Sequence, residues 1–304
     1  MKELLERLLS NGITCEYEEN FDFAKHSTVG VGGKAKIAFY PKTLKETTRL
    51  CDFFVDNRMD FLVLGNISNT LPPDETLEIP IILTKKLKSM EFSSGVFVEA
   101  GVTSSALLDA CQLNGKSGAE FLAGIPCTIG GAVYMNAGAN GKYMSDIVKK
   151  VLIYKQKRLC LLNNHSCCYS YKKSVFMEND GVILGVELEL KNSDEKSVCA
   201  VRKNVLQNRF ALPKGKSMGC VFKNPLGDSA GRLIEAAGLK GLREGGAVVS
   251  RSHANFMLNE GGATQNDFLK LIRRVKNEVF KRFGVSLEEE IRVIIKGELN
   301  DINS

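Results

Sequence analysis

Between Lys36 and Gly65 the chain reads strand, helix, strand within about thirty residues, and this run constrains the fold more than any other. Lys36–Tyr40 has strand character, and Pro41 ends it. Thr43 can cap a helix that carries Leu44, Leu50, Cys51, Phe53 and Phe54 on one side. Asp60-Phe-Leu-Val-Leu-Gly65 then reads as a buried strand closed by a glycine turn. Two strands joined through a helix run parallel, so the first part of the chain is expected to hold a parallel pair. The loop that follows, Asn66-Ile-Ser-Asn69-Thr-Leu-Pro-Pro-Asp74, leaves such a strand where backbone N–H groups commonly meet phosphate. It reads equally well as a plain surface loop.

At 304 residues the chain is long enough for two or three compact units, and 44% hydrophobic with 25% charged residues is enough apolar content for a sizeable core. The net charge of +6 suits anionic small molecules, yet the basic residues are too scattered for nucleic acid. Leu4, Leu5, Leu8 and Leu9, spaced by Glu3, Glu6 and Arg7, make an amphipathic helix stopped by Asn11-Gly12 rather than a signal peptide. No apolar run reaches the 18 residues a membrane span needs, so no membrane partner is expected. Nine scattered cysteines without CxxC spacing read as free thiols of a reducing, cytoplasmic compartment. Cys160, Cys167 and Cys168 with His165 do not make a metal site, and none is expected.

Further along, Ile79–Leu83 and Val96–Ala100 read as strands, and Thr103 or Ser104 caps a helix that ends at Asn114-Gly115. The most glycine-dense stretch is 119–141, which includes Gly124-Ile-Pro-Cys-Thr-Ile-Gly130-Gly131 and Asn136-Ala-Gly138. Such a stretch lets backbone approach a bulky anion from several sides, although it is not the GxGxxG fingerprint. Strands around Val148–Tyr154 and Val182–Leu190 are joined through Ser170–Ser174, and the polar run Lys191–Lys196 leads to a helix over Val198–Arg209. Then comes Ser217-Met-Gly-Cys-Val-Phe-Lys-Asn-Pro225, in which Gly219 permits a tight turn just before Cys220. Asp228-Ser229 caps a helix stopping at Gly238; Val248–Leu258 reads as one strand. Thr264-Gln-Asn-Asp267 opens a helix with Phe268, Leu271, Val275, Val279 and Phe283 on its inner face, and Leu287–Ile295 closes the chain as a strand.

In order, these stretches make a chain that resembles the UDP-N-acetylenolpyruvoylglucosamine reductases, also called UDP-N-acetylmuramate dehydrogenases. The resemblance rests on Ser27-Thr-Val-Gly-Val-Gly-Gly-Lys-Ala35, on Leu64-Gly with Ser68-Asn69, Leu71 and Asp74, and on Glu120–Pro126 with Thr128–Gly138. It continues through Tyr171–Phe176, Gly219–Pro225, Gly238–Gly241, His253-Ala-Asn-Phe256 and Leu287–Glu290. It implies an α+β fold: a two-lobed FAD-binding domain of the vanillyl-alcohol-oxidase type followed by a C-terminal α+β substrate-binding domain. The expected division is lobe 1 over 1–80 joined by the last strand, 286–304, lobe 2 over 81–195, and the substrate-binding domain over 196–285. The short polar run and single helix before the central motif match the family's shorter type, which lacks an inserted loop.

The resemblance implies that NADPH reduces FAD and that the enolpyruvyl ether of a cytoplasmic UDP-sugar becomes a lactyl ether for peptidoglycan. It gives catalysis to Cys220 as proton donor, in the place of the family's usual Ser, to Glu290, and to Lys172 in the place of an Arg that grips the substrate carboxylate. A thiol gives up its proton more readily than a hydroxyl, so the role survives on acidity, whereas Lys keeps the charge of Arg but not its two-pronged geometry. Alternation along a closing strand puts Glu288 and Glu290 on one face and Glu289 on the other. FAD is expected on Gly65, Asn66, Ser68, Asn69, Gly124, Ile125, Thr128, Gly130, Gly131, Asn136, Ala137 and Gly138. The UDP-sugar is expected on Tyr171, Arg209, Lys223, Asn224 and His253, in a monomer. Ile67 and Cys127 replace family glycines, and a β-branched residue resists positive φ, so weakened FAD binding is expected. A flavin oxidase on the same fold and a descendant without activity are the alternative readings.

Overall fold

The strand–helix–strand run forms, but its two strands do not touch. In the computed structural model, which describes residues 2–93, 95–178 and 181–295, the first sheet contains Glu16–Asp22 (β1), Lys34–Tyr40 (β2) and Leu62–Leu64 (β3). Thr70–Leu71 (β4) lies apart from it, and Ile81–Leu83 (β5) inserts between β2 and β3, giving the order β1-β2-β5-β3. β5 is parallel to both neighbours, with Ile82 opposite Phe39 on one side and Val63 on the other. An apolar triplet buried on all sides is what a central parallel strand requires. The first sheet therefore runs to Leu83, past residue 80. Leu44–Asp56 (a helix, α2, following α1 at Lys2–Ser10) starts where Thr43 accepts the N–H of Glu46, and packs Phe54 against Phe39 and Phe61.

The second sheet is wholly antiparallel. It uses Met90–Glu91 (β6), Val96–Glu99 (β7), Val148–Lys155 (β8), Arg158–Asn163 (β9) and Val182–Leu188 (β10), ordered β9-β8-β10-β7-β6. β9 has no counterpart in the sequence reading, which joined β8 to β10 directly through Ser170–Ser174. Ser104–Leu113 (α3), capped by Thr103, and Ile129–Tyr134 (α4), capped by Thr128, contribute to its core. Tyr154, Val182 and Leu184 of this sheet share a cluster with Ile37, Phe39 and Phe54, so the two lobes are welded by apolar contact.

The third sheet follows Glu195–Arg209 (α5). Its strands are Lys216–Cys220 (β11), Arg243–Glu244 (β12), Ala247–Val249 (β13) and Phe256–Asn259 (β14), ordered β11-β14-β13-β12. The run Val248–Leu258 is thus a hairpin and not one strand. Ser250 Oγ accepts the N–H groups of Ser252 and His253, a local turn chemistry that the polar Ser-Arg-Ser-His stretch supplies. Ala230–Ala236 (α6), capped by Ser229, and Gln265–Phe283 (α7), opened by a Thr264/Asp267 capping box, bury Leu233, Ile234, Phe268, Leu271 and Val275 behind the sheet. Phe283 lies on the exposed side of the last turn.

The closing segment also departs from a single strand. Lys223 N–H donates to Glu288 O (2.8 Å) and Glu290 N–H to Val221 O (2.8 Å), after which Arg292–Val293 (β15) pairs parallel with β4. One segment therefore stitches the third sheet to the first lobe. Residues 296–304 of the expected last strand lie outside the described residues. Asp74, read as part of a cofactor loop, instead takes the N–H groups of Gln265 (2.6 Å) and Asn266 (3.1 Å) at the start of α7. Among the described residues no helix is long and apolar enough to cross a membrane, and no group of His, Cys, Asp or Glu side chains could hold a metal ion.

Candidate active site

All three sheets border one cleft of about 1830 Å³, larger than the roughly 300–1,000 Å³ of a site for one small molecule. One wall is backbone. The β3 exit loop brings Gly65, Asn66, Ser68 and Asn69; the turn before α4 brings Gly124, Ile125 and Thr128, and the first turn of α4 brings Gly130 and Gly131; Ala137 and Gly138 follow. Asn66 Nδ2 donates to Pro126 O (2.8 Å), tying the two loops together, and Asn69 Nδ2 donates to Glu290 O (3.1 Å), tying the first to the opposite wall. A Cβ at Gly65 would collide with the Thr128 hydroxyl that caps α4, so glycine is what lets the loops close up.

The other wall is made of side chains. Lys172 stands at the tip of a tight turn between Ser170 and Lys173, with a left-handed φ of 55° that costs a non-glycine residue about 1–3 kcal/mol. Its ammonium meets the Glu290 carboxylate at 2.7 Å, both side chains about 15% exposed. Cys220, at the end of β11, feels both: burial first and then Glu290 push its thiol up to about 11, against a pull from Lys172 and Arg209. The apolar, anion-bearing surroundings favour the neutral thiol, so Cys220 gives up part of the acidity that a thiol has over a hydroxyl. At neutral pH the thiolate fraction is on the order of 10⁻⁴, so the sulfur holds a proton ready to give.

Arg209, Tyr171, Asn224 and His253 also line the cleft. Asn224 N–H donates to Tyr171 Oη (3.2 Å), while its side-chain Oδ1 accepts Ala230 N–H (3.0 Å) at the start of α6. Burial lowers the pKa of His253, whose Nδ1 accepts the N–H of Asn255 (3.3 Å). Four cations (Lys172, Arg209, Lys214, Arg292) against two carboxylates (Glu178, Glu290) line the space, which favours anionic ligands.

Two of the sequence-predicted residues are elsewhere. Asn136 is 3% exposed and structural: its Nδ2 donates to Ser170 O (2.9 Å) and its Oδ1 accepts Ser145 N–H (2.9 Å). Lys223 faces a shallow outer depression and pairs with Glu288. The three successive glutamates meet three different lysines, 288 with 223, 289 with 276 and 290 with 172, so Glu288 and Glu290 do not share a face. The cause is that 288–290 forms only an isolated bridge, Phe222 to Glu289, and not a regular strand. Asn255, which the sequence reading passed over, is buried and accepts Phe222 N–H (2.9 Å) while donating to Phe222 O (2.8 Å). Its signal was present in His253-Ala-Asn-Phe256, where attention went to the titratable residue.

Comparison with known proteins agrees with this geometry. A model described as "FAD binding domain" matches residues 35–157, and one described as "UDP-N-acetylenolpyruvoylglucosamine reductase, C-terminal domain" matches 211–294. The UDP-N-acetylenolpyruvoylglucosamine reductase of Carboxydothermus hydrogenoformans is 37% identical over 298 residues, 96% of this chain and 99% of its own. That of Anoxybacillus flavithermus is 37% identical over 300 residues, 97% and 99%. The chain belongs to the UDP-N-acetylenolpyruvoylglucosamine reductase family. The crystal structure of the reductase from Thermus caldophilus superposes with a TM-score of 0.79 at 34% identity, over 93% of this chain and 99% of that one. The fold is accordingly that of a two-lobed FAD-binding domain carrying a C-terminal domain of this reductase family.

The two glycine loops are compatible with FAD despite their substitutions. No backbone carbonyl among the described residues takes the N–H groups of Asn66, Ile67, Ser68 or Asn69, which leaves a row of donors suited to phosphate. Ile67 does adopt a left-handed φ of 52°, yet it is buried with Phe21, Phe23, Leu77 and Ile81, and that burial offsets the strain. Cys127 is not at a positive φ, so its position does not require the glycine it replaces. Its N–H turns back to Ile125 O (2.9 Å) and its carbonyl accepts Ser104 N–H (3.0 Å).

Proposed function

We propose that the chain catalyses the FAD-dependent, NADPH-driven reduction of UDP-N-acetylglucosamine enolpyruvate to UDP-N-acetylmuramate in peptidoglycan precursor synthesis. The observation that carries this reading is the convergence of Cys220, Lys172 and Glu290 on one cleft that is also lined by Asn66, Ile67, Ser68 and Asn69, whose N–H groups meet no backbone carbonyl among the described residues. Residues 65–69 and 124–131 would hold FAD, which, when bound, supplies the hydride that reaches the enol double bond from NADPH. The carbon away from the ether oxygen accepts it, because the charge that develops can spread into the substrate carboxylate. Lys172, held in the cleft by Glu290, offsets that charge. Cys220 gives its Sγ proton to the other carbon and recovers one from solvent. The C–C double bond becomes a single bond and a lactyl ether results.

On this reading the chain divides into a flavin unit over 1–195 joined by 286–304 and a substrate unit over 196–285, the latter contributing Arg209, Cys220 and His253 to the cleft. The protein acts as a soluble monomer on this reading. The test is direct: purified protein should be yellow and should oxidise NADPH only when the enolpyruvyl UDP-sugar is present. Colourless protein that cannot be loaded with FAD would sink it.

A further inference from the structure

Phe210 is 71% exposed, yet it borders the cleft. Single exposed aromatics are ordinary on protein surfaces. Phe210 differs in its neighbours. Arg209 immediately before it is partly buried and interacts with Cys220 and Cys127, and among the described residues no ion pair to a carboxylate engages it. Lys214 follows on the same wall. The segment is held in place: Phe210 N–H donates to Gln207 O (3.1 Å), Leu212 N–H donates to Arg209 O (3.1 Å), and Arg209 and Leu206 rest on Gly124, whose missing Cβ leaves them room. An apolar ring on a segment that also brings two cations to the same cleft is the chemistry that receives a base joined to a diphosphate: the ring can stack on the base and the cations can take the phosphates.

We propose that Arg209–Lys214 is the nucleotide platform of the cleft, with Phe210 stacking on the base of a nucleoside diphosphate ligand. The inference rests on the reading that a UDP-sugar and NADPH use this cleft, and it adds a specificity residue that the motifs do not name. Both ligands carry a base on a diphosphate, so the test separates the sources. The chain has no tryptophan, so Phe210→Trp places a single tryptophan on the platform, whose emission is excited selectively at about 295 nm. Titration of that holoprotein with UDP, and separately with NADP⁺, should quench the emission. A Leu113→Trp control, exposed at the end of α3 and away from the cleft, should be unaffected.

Phe210→Ala should raise KM for the ligand that quenches by roughly 5- to 150-fold and change kcat far less, and Phe210→Trp should restore KM. Quenching by UDP assigns the base to the substrate, and quenching by NADP⁺ assigns it to the reductant; both support the platform. No quenching by either, with KM for both unchanged in Phe210→Ala, overturns it. A yellow, active enzyme with that result would lose the platform alone. Colourless, inactive protein would instead count against the proposed reaction, and the fluorescence titration would still decide on Phe210.

Discussion

Lys172 with Glu290 and Lys223 with Glu288 are the same chemical pair made twice, with glutamates two residues apart on one segment. Their surroundings differ. Lys172 and Glu290 are both about 15% exposed and face the cleft, whereas Glu288 is 72% exposed and its pair lies in an outer depression. An exposed pair contributes about 0–1 kcal/mol and is screened by salt. A desolvated pair acts at lower dielectric, so removing one partner leaves a charge that little else offsets. Residue type and spacing therefore do not separate the two pairs; what differs is the exposure of the glutamate, 15% at Glu290 against 72% at Glu288, with both lysines largely buried.

Four experiments break or sharpen this contrast. The largest effect should come from the thiol that feels the inner pair. Cys220→Ala should lower product formation about 10²- to 10⁴-fold while NADPH still bleaches the flavin, as rapid-mixing absorbance of the two half-reactions would show. Normal turnover by that variant would remove the proton from Cys220. Next, Lys172→Met should lower kcat/KM by about 10- to 1,000-fold, and Lys172→Arg should retain activity or improve it by restoring a bidentate grip. If Lys172→Met were harmless, the inner pair would be no more than the outer one.

The third concerns pH. Cys220 must be protonated to act, and its pKa is raised to about 11, so it stays competent through neutral pH and loses the proton only as pH climbs toward that value. The Cys220-dependent step should thus fall only on the alkaline side. Glu290→Gln removes one of the two causes of the raised pKa, so the alkaline limb should move to lower pH in whatever activity remains. An unmoved limb would mean that the two groups are not coupled. The smallest effect belongs to the outer pair: Lys223→Ala should change kcat/KM by no more than about threefold and become indistinguishable from wild type in high salt. A loss like that of Lys172→Met would return Lys223 to the substrate site.

Much of this was legible in the chain because it depends on groups a few residues apart. Thr43, Thr103, Ser229 and Thr264 cap the helices they were read to cap, and each cap is a bond to an N–H three residues on or nearer. The glycine loops, Cys220, Lys172 and Glu290, singled out through short motifs with chemistry of their own, lie along one cleft. The misses are of another kind. Asn136 carries the right amide for a ligand but spends it on Ser170 and Ser145, and Asp74 spends its carboxylate on a helix nearly two hundred residues away. The hairpin over 247–259 was read as one strand because apolar residues flank its polar turn on both sides.

What the amino-acid order determined by itself was the capped helices, the glycine-rich stretches and the chemical types available to the site. Only the tertiary structure decided that β5 separates β2 from β3, that Ile67 is buried in an apolar cluster, and which of two lysine–glutamate pairs faces the cleft. The physical reason is that caps and turns are satisfied locally, whereas a charge's worth depends on its dielectric surroundings, and these are set by residues far apart in the chain.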